Sequence, residues 1–282
     1  MAIINLGATA DRIQFSDEIW AWIELLEDVL RVQQEAHVLA DATTFLADTD
    51  YKKVLVAGVH NARQALHAID LLLRFELVNQ AAAQVRLLCE GLITLEYIAA
   101  DPQGRATRFW EYAYIEAYER AEALMEWEAK SAAPEHTRAL VAAIETLKPD
   151  YERLKPTFEF KDGRGRTRAF NGWANKSIAQ QASECGERVE RLYSLVYKTM
   201  SAYVHGSGWS LRKQGAYSMK HYDAETALVD FAEIIRTTLA VWVELANFCY
   251  RELGWDLIQH GPSFAARVRA LDAAYQTKRR KP

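Results

Sequence analysis

With 282 residues, half of them hydrophobic, the chain has material for one large core or two small ones. Gly (13) and Pro (6) are scarce while Ala, Leu and Glu abound, which favours helix over sheet. The formal net charge of -4 excludes a global basic field for nucleic acid and leaves only local patches to consider.

Cys89, Cys185 and Cys249 are far apart and odd in number, with neither metal spacing nor a disulfide framework, so reduced thiols in a cytoplasmic protein are expected. The opening MAIINLGATADRIQFSDE lacks the basic-then-apolar order of a signal peptide. No run approaches the roughly 18 apolar residues of a membrane span, so no membrane partner is expected.

Residues 1–15 read as a loosely held arm, 16–277 as a single helical domain and 278–282 as a basic, disordered tail. Ser16-Asp17-Glu18 supplies a cap and first-turn acids for a helix running to about Asp48, with Ile19, Ile23, Leu26 and Leu30 at helical spacing. A second helix spans about Asp50 to Glu76. Its His60, Arg63, His67, Asp70 and Arg74 form a polar stripe, read as a solvated face with ion pairs or as the lining of a groove. His60 and His67 stand two turns apart, about 10 Å along the axis, too far to share a metal.

Asn79 is placed as the cap of a third helix, Gln80 to about Ala100, apolar on nearly every side and so expected at the centre of the bundle. It nevertheless carries Arg86 and Glu90 at i, i+4, either an internal ion pair or one side of a polar cleft. Asp101-Pro102-Gln103-Gly104 turns the chain into an aromatic-rich fourth helix, about Ala106 to Lys130, and Pro134 opens a fifth that ends near Leu154. No Glu-x-x-His pair of the di-iron bundle type occurs, so no metal and no cofactor is expected.

Residues 155–176 are rich in Gly, Lys and Arg and form the longest irregular segment. Arg164, Arg166 and Arg168 with Phe170 and Trp173 make a basic-aromatic cluster suited to a phosphate or a nucleic-acid strand. A solvated hairpin, Phe158–Phe160 against Thr167–Phe170, fits the same residues. Ser177 caps a short helix that Gly186 breaks, and the next runs from about Glu187 to His205. It carries Tyr197, Ser201 and His205 at i, i+4 and i+8 on one face, with Gly206 as the stop. A loop with Trp209, a long apolar helix from about Asp223 to Leu253, and a last helix over about 262–277 complete an all-α, multi-helix up-and-down bundle.

The segments Arg86-Leu-Leu-Cys-Glu90, Gly172-Trp173 before Ser177-Ile178, and Tyr197-Lys-Thr-Met-Ser201-Ala-Tyr-Val-His205-Gly206 together resemble a bacterial domain-of-unknown-function family, over residues 50 to 245. That resemblance implies an all-helical fold and names no reaction. The helix end is also distantly similar to HEPN domains, many of which are metal-independent ribonucleases acting as dimers. In that resemblance Ser201 takes the polar position and His205-Gly206 the histidine position, but Met200 stands where the arginine belongs. The electrostatic help an arginine gives a phosphate transition state is then missing.

Three functions follow as expectations. One is a binding or regulatory module, in phage defence or stress response, with a cleft lined by Arg86, Glu90, Tyr197, Ser201 and His205. The second is a HEPN-type ribonuclease, acting as a homodimer on RNA or another phosphate-containing ligand, with His205 as general acid or base and the basic loop and Trp209 as contacts. A metal enzyme using His60, His67 or His205 with Glu90 is a third, unsupported by spacing.

Overall fold

Apolar side chains at helical spacing become helices throughout the computed structural model, which describes residues 16–44, 48–128, 134–204, 224–255 and 261–279. In chain order these are α1 (Asp17–Thr44), α2 (Asp50–Arg74), α3 (Val78–Ala99), α4 (Pro102–Glu128) and α5 (Pro134–Leu154). A 3₁₀ turn (Lys155–Phe158) leads into a hairpin of β1 (Glu159–Lys161) and β2 (Thr167–Ala169), antiparallel with Phe160 opposite Arg168. Then come α6 (Ile178–Glu184), α7 (Glu187–Leu192), a π-helical turn (Tyr193–Tyr197), α8 (Lys198–Val204), α9 (Ala224–Leu253) and α10 (Gly261–Arg279). The all-α bundle expected from composition is what forms, and the hairpin is the only sheet among the described residues.

α3 lies at the centre. It packs against α2, α4, α6, the π turn, α8 and α9, and buries Val85, Leu88, Cys89, Leu92 and Ile93. Full burial of such aliphatic side chains stabilises by about 1.5–3 kcal/mol each. The main core draws on α1, α2, α3, α6, α7, α8, α9 and α10, while Ile115, Leu154 and Phe158 make a smaller cluster under the hairpin. Arg188 on α7 reaches both Glu96 on α3 and Glu244 on α9, and so fastens the short helices to the central ones.

Several boundaries depart from the sequence expectation. Asn79 does not cap α3. The helix starts at Val78 with Leu77 in the cap position and no side-chain cap bond. The preceding turn is closed instead by backbone bonds from Glu76 N to Leu73 O (2.9 Å) and from Leu77 N to Leu72 O (2.8 Å), a Schellman pattern with Glu76 at φ 57°. α4 starts at Pro102, four residues before the expected Ala106. Proline suits a first helical turn, and the Asp101 carboxylate accepts from Gly104 N at 3.0 Å. α10 continues to Arg279, beyond the expected 277. The Ser177 cap holds: its hydroxyl accepts from Gln180 N while the Gln180 side chain accepts from Ser177 N, a full capping box.

The polar stripe of α2 faces α1 and water, as an ion-paired face does. Arg74 binds Asp70 at 3.0 Å and also Glu27 of α1, and Arg63 donates to Gln34 at 3.0 Å.

Candidate functional site

α3 and the π turn bring three of the five expected cleft residues together. Arg86 Nη2 donates to the Tyr197 hydroxyl at 2.7 Å and lies 3.6 Å from Glu90 Oε2. The guanidinium also sits over the Tyr197 ring, 4.9 Å from its centre, and Tyr197 stacks on Tyr193 at 5.2 Å. The extra residue of a π turn re-aims the side chains around it, and such turns recur at functional sites. Here the turn sets Tyr193 and Tyr197 side by side with Tyr197 against Arg86. The Arg86 side chain is 21% exposed and Glu90 34%, so the pair sits at the bundle's edge rather than inside it. Its contribution to stability is correspondingly small, about 1 kcal/mol or less. Arg86 Nε is buried and has no partner among the described residues.

Ser201 is spoken for locally: its hydroxyl donates to the Tyr197 carbonyl at 2.7 Å, a back-bond within the helix. Met200, the position of a HEPN arginine, is 2% exposed and belongs to the core. His205 and Trp209 lie outside the described residues.

Behind Glu90, on the other side of α3, is a feature that the sequence did not announce. A cavity of about 770 Å³ opens between α2, α3 and the loop leading into α6. Its α2 wall is made of small residues, Ala57, Gly58, Ala65 and Ala68, and its α3 wall includes Leu87, Glu90, Gly91 and Thr94. A side chain at Gly91 would meet nothing within 4 Å, so this glycine leaves room where any other residue would fill it. Trp173 closes one side. It packs edge-on against Tyr97 (5.7 Å) and Phe109 (5.1 Å). Its loop is a tight one, with Gly172 at φ 80°, Asn175 at φ 50° and the Asn175 side chain accepting from Asn171 N at 3.2 Å. Gln181, on α6, completes the lining. It is 3% exposed, its Nε2 donates to Lys176 O at 3.1 Å, and its Oε1 has no donor among the described residues.

The structure separates the expected basic-aromatic cluster. Trp173 belongs to the cavity, whereas the arginines gather on the hairpin turn around Asp162. That carboxylate accepts from Arg166 N (3.0 Å), Arg164 N (2.9 Å) and the Nε atoms of Arg166 and Arg168 (both 3.2 Å). The Arg166 backbone N–H first, then that of Arg164 and the guanidinium groups, hold its carboxyl below the usual carboxylate range. Phe170 packs on Phe158 and Phe160, with Arg108 over its ring. These residues build the turn first, and two of the three arginines already have an anionic partner.

Among the described residues no group of three or more His, Cys, Asp or Glu could hold a metal ion, and no helix is long and apolar enough to cross a membrane. The cysteines are poor nucleophiles. Burial pushes the Cys89 thiol up to about 12, and the Cys249 thiol likewise to about 12. A thiol must ionise to react, so at pH 8 both are almost wholly protonated. Treatment of the native protein with a thiol-reactive disulfide at that pH is expected to leave Cys89 and Cys249 unmodified by peptide mapping, and denaturant to expose them. Rapid native labelling of either would show that its surroundings open.

The fold and the site define a helical-bundle protein with a small-molecule-sized cavity beside an Arg–Glu–Tyr cluster. The chain belongs to a family of unknown function (DUF5677), matched over residues 52–217. That span holds Arg86, Glu90, Tyr197 and every cavity residue named above. No curated protein and no solved structure matches the chain.

Proposed function

We propose that the chain is a small-molecule-binding regulatory module whose ligand occupies the cavity between α2, α3 and the Trp173 loop. The observation that carries this reading is the cavity itself. Its volume of about 770 Å³ falls within the range of ligand pockets, which are mostly apolar with a few placed polar groups. Glu90 borders both the cavity and the Arg86–Tyr197 cluster. A ligand that changes the position of Glu90 changes what Arg86 holds, and Arg86 holds the π turn that leads towards His205. Binding on one face of α3 is thereby read on the other.

The ribonuclease alternative draws less support. Met200 is a core residue with no arginine in its place, and the Ser201 proton is committed to a backbone carbonyl.

Gly91→Leu is the decisive variant. Gly91 sits inside α3 with open space around it, so leucine fills the cavity without strain and raises helix propensity by about 0.8 kcal/mol. A thermal-shift screen of small molecules is expected to yield compounds that raise the Tm of the wild type and leave that of Gly91→Leu unmoved. A ligand at 100 times its Kd stabilises by about 2.7 kcal/mol, well within the reach of such a screen. RNA incubated with the wild type is expected to stay intact. Cleavage that disappears in His205→Ala would overturn this reading in favour of the ribonuclease.

A further inference from the structure

We infer that the ligand of this cavity is a neutral, mostly apolar small molecule that brings one hydrogen-bond donor, received by Gln181 Oε1. The inference deepens the binding reading above and rests on it.

The charge of the ligand follows from the cavity walls. Two ionic side chains border the space, and both are compensated from outside it: Glu90 by Arg86, and Lys176 by Glu184. The Lys176 ammonium also lies over the Tyr97 ring, 5.6 Å from its centre. A charged ligand would meet no opposite charge that is free to pair, and would lose its hydration in entering. A neutral one loses little. The apolar body follows from Ala57, Ala65, Ala68, Leu87 and Trp173, which offer contact area and no polar atoms beyond the indole N–H.

The donor follows from Gln181. Its side chain is 97% buried by the 3% that remains exposed, and its amide orientation is fixed because Nε2 donates to Lys176 O at 3.1 Å. That leaves Oε1, an acceptor, buried without a donor among the described residues. Buried polar atoms in native proteins are almost always satisfied, by protein, by water or by a ligand. The cavity is the space beside this one. A hydroxyl or N–H carried by an apolar molecule completes it, and a ligand that lacks such a group leaves the acceptor unpaired.

The test uses the full chain and N-phenylnaphthylamine, a neutral aromatic fluorophore with one N–H, whose emission rises in apolar surroundings. Saturable binding by the wild type is expected, with at least tenfold weaker binding by Gly91→Leu and an intermediate value for Gly91→Ala. Displacement then compares dodecanol with dodecyl methyl ether, which share an apolar chain and differ in the donor. Dodecanol is expected to compete at least tenfold more strongly. Equal competition by the two overturns the donor assignment while leaving the cavity as the binding site. Decanoate or decylamine competing better than dodecanol overturns the neutral class. Probe binding that Gly91→Leu does not weaken overturns the binding reading itself.

Discussion

Replacing Trp242 with alanine is expected to destabilise the protein by about 3–5 kcal/mol, the largest single loss in the molecule. Trp242 lies on α9, fully buried, and packs edge-on against Phe264 of α10 at 5.7 Å. Its indole N–H donates to Gln33 Oε1 of α1 at 2.7 Å. Gln33, itself 1% exposed, spends its Nε2 on the Val59 carbonyl of α2 at 3.0 Å, and the Tyr250 hydroxyl stands 3.4 Å from its Oε1. One buried amide therefore ties α1, α2 and α9 together. Removing the indole takes away both packing and the best donor of that amide. Gln33→Leu isolates the polar part, because it strands the indole N–H at a cost of about 1–3 kcal/mol. The two effects share a partner, so they are not additive, and a double-mutant cycle with Trp242→Phe is expected to show coupling of about 1 kcal/mol or more. Denaturant unfolding followed by far-ultraviolet circular dichroism measures each as a fall in midpoint at unchanged slope. A loss below about 1 kcal/mol for Trp242→Ala would mean that the three helices are not joined through this pair.

Gln33 also shows where sequence reading stops. It stands in a run with Gln34 and Glu35, and nothing in that run separates the one side chain aimed inward from the two exposed ones. The helices were legible because apolar spacing repeats over many residues and no single position decides it. The hairpin and the Ser177 capping box were legible because their residue types carry their own geometry. The end of α2 was not, since a Schellman turn announces itself by glycine, and here Glu76 takes the left-handed conformation. The π turn was not, because it has no composition of its own and exists through how Tyr193 and Tyr197 pack. Of the site, Arg86, Glu90 and Tyr197 were found as polar residues on apolar helices, and they do meet. The cavity was invisible for a different reason. Ala57, Gly58, Ala65, Ala68 and Gly91 read as ordinary small residues in helices, and an absence of side-chain volume becomes a cavity only when two helices are set beside each other.

Trp173→Ala is expected to cost about 2–4 kcal/mol and to weaken binding of an apolar probe in the cavity more than tenfold. The stability loss is set below that of a fully buried tryptophan because Trp173 is only partly buried, at the edge of the main core. Its two edge-to-face contacts, with Tyr97 and Phe109, each add about 0.5–1.5 kcal/mol beyond the area they bury. Tyr97 is itself clamped between Trp173 and the Arg105 guanidinium, 3.8 Å from its ring centre, so the loss spreads to the start of α4. Phenylalanine at 173 keeps one ring in the wall and is expected to retain most of the binding. The same substitution loosens the loop whose Lys176 carbonyl orients Gln181, so protection of the Gln180 and Gln181 amides from hydrogen exchange is expected to fall in Trp173→Ala before the rest of the fold opens. Unfolding that stays concerted, with those amides as protected as the core of α3, would show that the loop is held by the α6 capping box and not by the tryptophan. Probe binding undiminished in that same variant would place the ligand away from this wall.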